Sequence, residues 1–296
     1  MSAFAARAVD WYDEHARDLP WRQAGTTAWG VLVSEVMLQQ TPVSRVEPVW
    51  LEWLRRWPAP ADLAADEPGE AIRAWGRLGY PRRALRLHAA AVVIVDHHAG
   101  TVPSTLDALL SLPGIGAYTA RAVLAFAYGQ RHPVVDTNVR RLVARAAAGR
   151  PDAGPVTTAG DLAATEALLP PAPEVAARAS AAFMELGATV CVARTPRCAA
   201  CPLADLCAWR ASGRPAPGGP TRRPQAYAGT DRHVRGLLMA VLREHAGAVP
   251  KAQLDVVWPD AVQRERALAT LIADGLVTAR SAELYSLPSH QSLKPR

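Results

Sequence analysis

The chain has 296 residues, 50% of them apolar, and 33 Lys+Arg outnumber 27 Asp+Glu to give a formal charge of +6. That length and apolar content exclude a disordered tail and allow one large core or two modest ones. The positive balance suits a polyanion, although it also serves solubility, and with no apolar signal core and no apolar run beyond residues 89–95 the expectation is a cytoplasmic protein without a membrane span.

Apolar residues recur at helical spacing through residues 1 to about 208. Pro20, Pro42, Pro58, Pro81, Pro103, Pro113, Pro133 and Pro151 fall where connections are expected. This predicts an all-α body. A helix is predicted from Trp29 up to Pro42, with Glu35 among valines, leucine and methionine. Partial burial would raise its pKa and keep a usable proton near neutrality. Glu35 shares a face with Gln39, however, so a solvent-facing pair is the alternative. Gln39, Gln40 and Thr41 close the helix with three hydrogen-bonding side chains.

Ser104 to Asp107 reads as a helix start, and helices are predicted over Ala117–Tyr128 and Val139–Ala148. Between the first two lies Leu112-Pro-Gly114-Ile-Gly116. Two glycines there allow a tight turn whose backbone N–H groups face outward beside a helix N-terminus, which suits phosphate; an ordinary helix connector is the alternative. Asp136 heads the next helix and is followed by Asn138, Arg140 and Arg141. It is either a helix N-cap, stabilising by about 1 kcal/mol, or a carboxylate facing a developing cation.

All four cysteines stand in one segment, Cys191-x6-Cys198-x2-Cys201-x5-Cys207. Clustering argues for a metal site in a reducing compartment rather than for disulfides. The spacing favours a [4Fe–4S] cluster over its rival, structural zinc, whose loops more often supply two close Cys pairs where this segment has one. Arg194, Arg197 and Arg210 lie in or beside the loop. Residues 212–225 have linker composition. Helices are then expected near Asp231–His245, Lys251–Trp258 and Val262–Asp274, followed by a hairpin from Gly275. That order outlines a winged helix. The expected organisation is a domain over 1–211 carrying the cysteine loop (191–207), a linker over 212–228, and a small C-terminal α+β domain over 229–296.

The strings LPWR (19–22), VSEVMLQQT (33–41), LGY (78–80), LPGIGAYTA (112–120), VVDTNVRRLVAR (134–145) and MELGA (184–188), with the cysteine loop, resemble the helix–hairpin–helix glycosylase superfamily that includes endonuclease III. Within it the chain is most similar to the adenine DNA glycosylases of the MutY family. The resemblance implies a mainly α, two-lobed fold bound to double-stranded DNA containing an adenine mispair, with a [4Fe–4S] cluster on Cys191, Cys198, Cys201 and Cys207. It implies a monofunctional base-excision enzyme, expected to act as a monomer in the cytoplasm on the nucleoid. By motif match Glu35 is the general acid at adenine N7, Asp136 stabilises the oxocarbenium-like sugar, and Asn138 lies near the catalytic water. Tyr118 stands where lyase-active relatives carry a lysine, so no Schiff base is expected. The resemblance also assigns Trp21, Arg22, Leu38 and Glu185 to an adenine pocket, and Gln40 and Tyr80 to wedges in the base stack. Gln39, Gln40 and Thr41 belong to the DNA-facing string, with Gln40 and Thr41 matched to contacts with the opposing oxidised guanine. Gly114 and Gly116 match the phosphate-binding turn.

Two features depart from the family. Tyr80 is followed by Pro81 where a second tyrosine is usual, and the C-terminal region is too short for the MutT-like domain of many members. Ser289-His290 bears only a faint likeness to an element of that domain. The rival functions are a thymine or other pyrimidine mismatch glycosylase and a non-catalytic iron–sulfur DNA-binding protein.

Overall fold

The computed structural model describes residues 2–216 and 227–290. The first half of the chain runs through α1 (Ala3–His15), α2 (Ala28–Met37), α3 (Val43–Arg56), α4 (Pro60–Ala65), α5 (Pro68–Trp75) and α6 (Arg82–His98). It continues through α7 (Leu106–Leu110), α8 (Ala117–Tyr128), α9 (Thr137–Ala146), α10 (Ala159–Leu168), α11 (Pro173–Thr189) and the short α12 (Ala208–Ala211). The remainder is α13 (Asp231–Glu244), β1 (Val249–Pro250), α14 (Lys251–Asp255), α15 (Ala261–Ala273), β2 (Thr278–Ala279) and β3 (Leu284–Ser286). Among the described residues no helix is long and apolar enough to cross a membrane.

The chain divides into two compact units whose boundary cuts α2 between Glu35 and Val36. One comprises residues 1–35, 104–111 and 115–220; the other comprises 36–103, 112–114 and 221–296. In the first, α1, α9 and α11 bury Phe4, Ala8, Val139, Leu142, Ala179 and Phe183 together, and Phe4 meets Phe183 edge to face at 5.4 Å. Alanines at the α11 contacts let the helices approach closely. The closest approach is at Gly187, where a Cβ would stand 2.5 Å from the Asn138 carbonyl oxygen. In the second unit a tryptophan cluster forms the centre. Trp53 lies edge to face with Trp57 at 4.7 Å and with Trp75 at 5.6 Å, and all three are buried.

Local chemistry sets the helix ends. Thr158 and Asp161 form a capping box on α10, and Thr230 and Asp260 cap α13 and α15. The expected start at Ser104 moves one residue on: Thr105 is the extended N-cap, and its carbonyl accepts the first helical bond, from Leu109. The helix expected over Val139–Ala148 is α9, which begins earlier because Asp136 caps it and ends at Ala146. α2 stops at Met37 instead of running to Pro42, because Gln40 takes the left-handed conformation (φ 56°) and a side chain from α6 takes up the terminal carbonyls.

The C-terminal residues follow the order helix, strand, helix, helix, strand, strand, which is that of a winged helix. The hairpin is β2 with β3, antiparallel. A third strand, β1, pairs with β3 through Val249 opposite Tyr285, and its two residues, one of them proline, carry no alternation that could announce it. This segment falls in the same compact unit as residues 36–103. Of the expected linker, residues 217–226 lie outside the described residues.

Candidate active site

Glu35 sits in the last turn of α2 with only 6% of its surface exposed. Burial is the main force on its carboxyl group and pushes the pKa up to about 7; the nearby charge of Asp136 adds to this, while a hydrogen bond from the Tyr118 hydroxyl and the charge of Arg22 oppose it. The Glu35 of the sequence thus faces inward, not toward water. Tyr118, in the first turn of α8, is itself held well above the ordinary phenol range by burial and by Glu35 and Asp136. It stays neutral and donates.

Asp136 is the N-cap of α9. Its Oδ1 accepts from the backbone N–H groups of Asn138 (2.8 Å) and Val139 (2.7 Å), and its Oδ2 accepts from the Asn138 side-chain amide (2.7 Å). Burial raises its pKa, and these three bonds hold the rise back. Asn138 Oδ1 in turn accepts from Arg141 Nη2 at 2.8 Å; Arg141 also reaches the Gly187 carbonyl (2.6 Å) and, through Nε, the Cys191 carbonyl (2.7 Å). A continuous hydrogen-bonded chain therefore joins the Asp136 carboxylate to the backbone of the first cysteine. Two carboxyl groups, one holding a proton near neutrality and one stabilised as an anion by a helix N-terminus, form an acid–anion pair of the kind that separates catalytic roles.

Glu185 on α11 is fully buried yet ionised. Burial alone would raise its pKa, but hydrogen bonds from Arg17 and the charges of Arg22 and Arg17 bring it below the usual range. Arg17 grips it in a fork, Nε to Oε1 at 2.6 Å and Nη2 to Oε2 at 2.9 Å, and Arg22 Nη2 adds a bond at 2.9 Å. The other terminal nitrogen of Arg22, Nη1, is buried and has no hydrogen-bond partner among the described residues. Trp21, beside it on a 3₁₀ turn, is buried. One compact unit thus brings together Trp21, Arg22, Glu35, Tyr118, Asp136, Asn138 and Glu185; Gly116, exposed at the N-cap of α8, belongs to it too.

Leu38, Gln39, Gln40, Thr41, Tyr80 and Gly114 belong to the other unit. Gln40 and Tyr80 are exposed and both have positive φ (56° and 48°), two of four such non-glycine residues among those described. Side chains other than glycine resist that region, so something must hold them there. Arg83 does so. It is buried, and its guanidinium donates to the carbonyls of Val36 (2.8 Å), Met37 (3.0 Å), Gln39 (2.6 Å) and Gly79 (3.1 Å) and to Thr41 Oγ1 (3.0 Å). It also lies under the rings of Trp75 and Tyr80. Gly114 (φ 79°) has its Cα against Arg86, where a Cβ would come within 2.6 Å of the Arg86 Cβ, whereas a Cβ on Gly116 would meet nothing within 4 Å. Open space before a helix N-terminus suits an anion approaching the backbone. Arg17 and Arg83 are functional-site neighbours that motif reading missed, and Arg141 and Arg145 stood in a matched string without a role of their own; the only hint was that a buried glutamate or a run of free carbonyls needs a cation.

Cys191, Cys198, Cys201 and Cys207 are free thiols that line one small cavity with Leu142, Val190, Leu203 and Trp209. Among the described residues no group of three His, Cys, Asp or Glu side chains is arranged to hold a single metal ion. Four sulfurs around a small apolar chamber fit a cluster bound by thiolates. Arg145, buried against the Trp209 ring, directs Nη1 to Cys191 Sγ at 3.7 Å and bonds the carbonyls of Val192 and Ala193, placing positive charge beside the thiolates.

Comparison with known proteins agrees with this geometry. Residues 33–165 match the HhH-GPD superfamily of base excision DNA repair proteins, and residues 191–207 match the iron–sulfur binding domain of endonuclease III. The chain accordingly carries the iron–sulfur binding segment of a [4Fe–4S] protein, and all four of its cysteines fall within it. The chain is 59% identical to the adenine DNA glycosylase of Mycolicibacterium smegmatis over 288 residues, covering 97% of each chain. It is 56% identical to that of Mycobacterium tuberculosis over 279 residues, covering 94% of this chain and 91% of that one. Among solved structures, a thermostable thymine-DNA glycosylase matches with a TM-score of 0.63 at 24% identity, covering 71% of this chain and 95% of that one, which establishes the fold. The chain therefore belongs to the adenine DNA glycosylase family of the HhH-GPD superfamily.

Proposed function

We propose that the protein removes adenine mispaired with 8-oxoguanine or guanine from double-stranded DNA, hydrolysing the N-glycosidic bond as a monomeric, monofunctional glycosylase. The observation that carries the reading is Glu35, a buried carboxylic acid whose pKa lies at about 7 while Asp136 stands near it as an anion. Glu35 delivers its proton to N7 of the flipped adenine, which makes the base a better leaving group. Asp136, immobilised by three hydrogen bonds, stabilises the cationic sugar as the bond breaks. Asn138 orients that carboxylate and lies near the water that completes hydrolysis. Tyr118 offers a hydroxyl where an amine would be needed for a Schiff base, so no strand-cleaving intermediate forms.

In this reading Trp21, Arg22, Leu38 and Glu185 line the adenine pocket, and Arg22 Nη1 gives it an unused donor. Gln40 and Tyr80 enter the space left by the flipped base, with Gln39 and Thr41 beside them, and Gly114 and Gly116 meet backbone phosphate. The cluster holds the Cys191–Cys207 loop in shape when bound.

Single-turnover excision from duplexes carrying A opposite 8-oxoguanine, A opposite G, and T opposite G tests the proposal. Wild type is expected to release adenine from the first two only, and borohydride is expected to trap no protein–DNA adduct. Asp136→Asn is expected to slow adenine release by about 10³-fold, the size of a lost oxyanion-type stabiliser. Release of thymine in preference to adenine would overturn the assignment.

A further inference from the structure

The C-terminal residues 227–290, here the C-terminal unit, have the element order of a DNA reader, but the cations of α14 and α15 are already engaged. On α15, the helix before the hairpin, Arg266 forks onto Asp231 (2.7 and 2.8 Å), while Arg264 bonds Asp255 (3.1 Å) and the Trp258 carbonyl (2.5 Å). Lys251 is held by Asp255 and Glu265, and Arg235 by Asp274 (2.5 Å). A recognition helix works by offering such groups to bases and phosphates; here each would first have to leave a carboxylate.

What the unit does grip is α5. At the start of that helix, Gly69 N–H donates to the Pro288 carbonyl at 2.9 Å, and the backbones are so close that a Cβ on Gly69 would stand 2.7 Å from that oxygen. The His290 N–H donates to Glu67 at 2.6 Å, and its ring lies 5.6 Å from the buried His88 of α6. Further along, Arg73 donates to the Arg243 carbonyl at the end of α13. The far end of α5 is Trp75, whose indole N–H donates to the Gly79 carbonyl at 2.9 Å and whose ring covers Arg83. Just beyond the turn that follows, Arg82 pairs with Asp274 at 3.2 Å. The turn 76–80, which carries Gly79 (φ 85°) and Tyr80 (φ 48°), is thus bracketed by two attachments to the C-terminal unit.

We propose that the C-terminal unit acts in cis as a clamp on α5 and Arg82 that fixes the left-handed turn presenting Tyr80, and does not itself read DNA. The inference rests on the reading of Tyr80 as a stack-wedging side chain. Glu67, Gly69, Arg73 and Asp274 are positioning residues in this arrangement: they act on Tyr80 through α5 and Arg82. The turn needs such support because two consecutive residues in the left-handed region are not self-sustaining when the second is a tyrosine.

The test uses the full-length, cluster-loaded protein and a duplex with 2-aminopurine as the target base opposite 8-oxoguanine. Fluorescence reports extrusion, and excision from the adenine duplex is timed in parallel. Glu67→Ala/Asp274→Ala is expected to cut both the fluorescence rise and the single-turnover rate by about tenfold, the scale of one or two lost hydrogen bonds, with the dissociation constant changed less than about twofold. Gly69→Val, which drives a side chain into Pro288, is expected to do the same. Tyr80→Ala serves as the reference. If it leaves extrusion intact, the wedge reading fails; if it abolishes extrusion while the folded clamp variants retain it, the clamp fails and the wedge stands. Arg264→Gln/Arg266→Gln is expected to leave the salt dependence of binding unchanged, and a slope lowered by about one per arginine removed would identify a DNA reader and overturn the proposal.

Discussion

Glu35→Gln is expected to abolish adenine excision and, in the same protein, to raise thermal stability above pH 7. The carboxyl titrates at about 7 in the folded chain against 4.5 as an isolated group. Between those values the folded state keeps a proton that the unfolded chain has released, so stability falls as pH rises through this window and the loss is complete above it. At about 1.4 kcal/mol per unit the window is worth about 3 kcal/mol. Glutamine does not ionise and escapes this cost, while the proton needed at adenine N7 is gone. Melting curves of both proteins at pH 5 and pH 8 provide the check: the advantage of the glutamine variant should appear at pH 8 and shrink at pH 5. An equal difference at both would mean that Glu35 does not titrate in this range. In the wild type, excision should decline above pH 7 as Glu35 loses its proton. It should also decline in acid as Asp136 gains one, at a pH above that of an ordinary aspartate because burial has raised its pKa.

Arg83→Lys should cost about 3 kcal/mol of unfolding free energy and lower excision from both mispairs. The guanidinium serves five acceptors at once, four of them backbone carbonyls, and no carboxylate bonds it among the described residues. Burial lowers its pKa to about 10, so it remains a cation. A lysine has three donors on one atom and cannot span this set. At least two buried acceptors would be left bare, at about 1–3 kcal/mol each. The same loss frees Gln40 and Tyr80 from their left-handed conformations. Urea unfolding measures the first effect and single-turnover excision the second. A stability within about 1 kcal/mol of wild type would show that water or lysine replaces the network.

The helices were legible in the sequence because their signals are local. Ala117–Tyr128 is bounded by glycines at 116 and 129, and α9 opens on an aspartate that caps it. The cysteine loop was legible for the same reason: its spacing is short and uses every cysteine in the chain. Glu35 could be named but not oriented, since its helical face holds both Leu32 and Gln39; burial by Tyr118 and neighbours from distant segments decides it. The partners of Glu185 were out of reach, because Arg17 stands 168 residues away and any surface arginine would look alike. Arg83 was hidden in another way. It lies three residues past Tyr80, within a run of arginines at 82, 83 and 86, and only the ended α2 helix shows which of them was needed.

Asp136 combines two tasks that respond differently to substitution. Its Oδ1 caps α9 through two backbone N–H groups, a duty asparagine performs about as well as aspartate. Removing the charge therefore leaves the cap intact, but the amide nitrogen cannot accept from Asn138 as Oδ2 does, so a defect in the asparagine form reports the lost charge together with that one lost hydrogen bond. Alanine at the same position would confound the two by uncapping the helix. The cap also explains why the anion is rigid: with both oxygens already engaged, the carboxylate has no rotational freedom left to surrender as charge grows on the sugar. A chain that evolved away from catalysis could keep the fold by drifting to asparagine here, which makes this residue a marker for telling active relatives from silent ones.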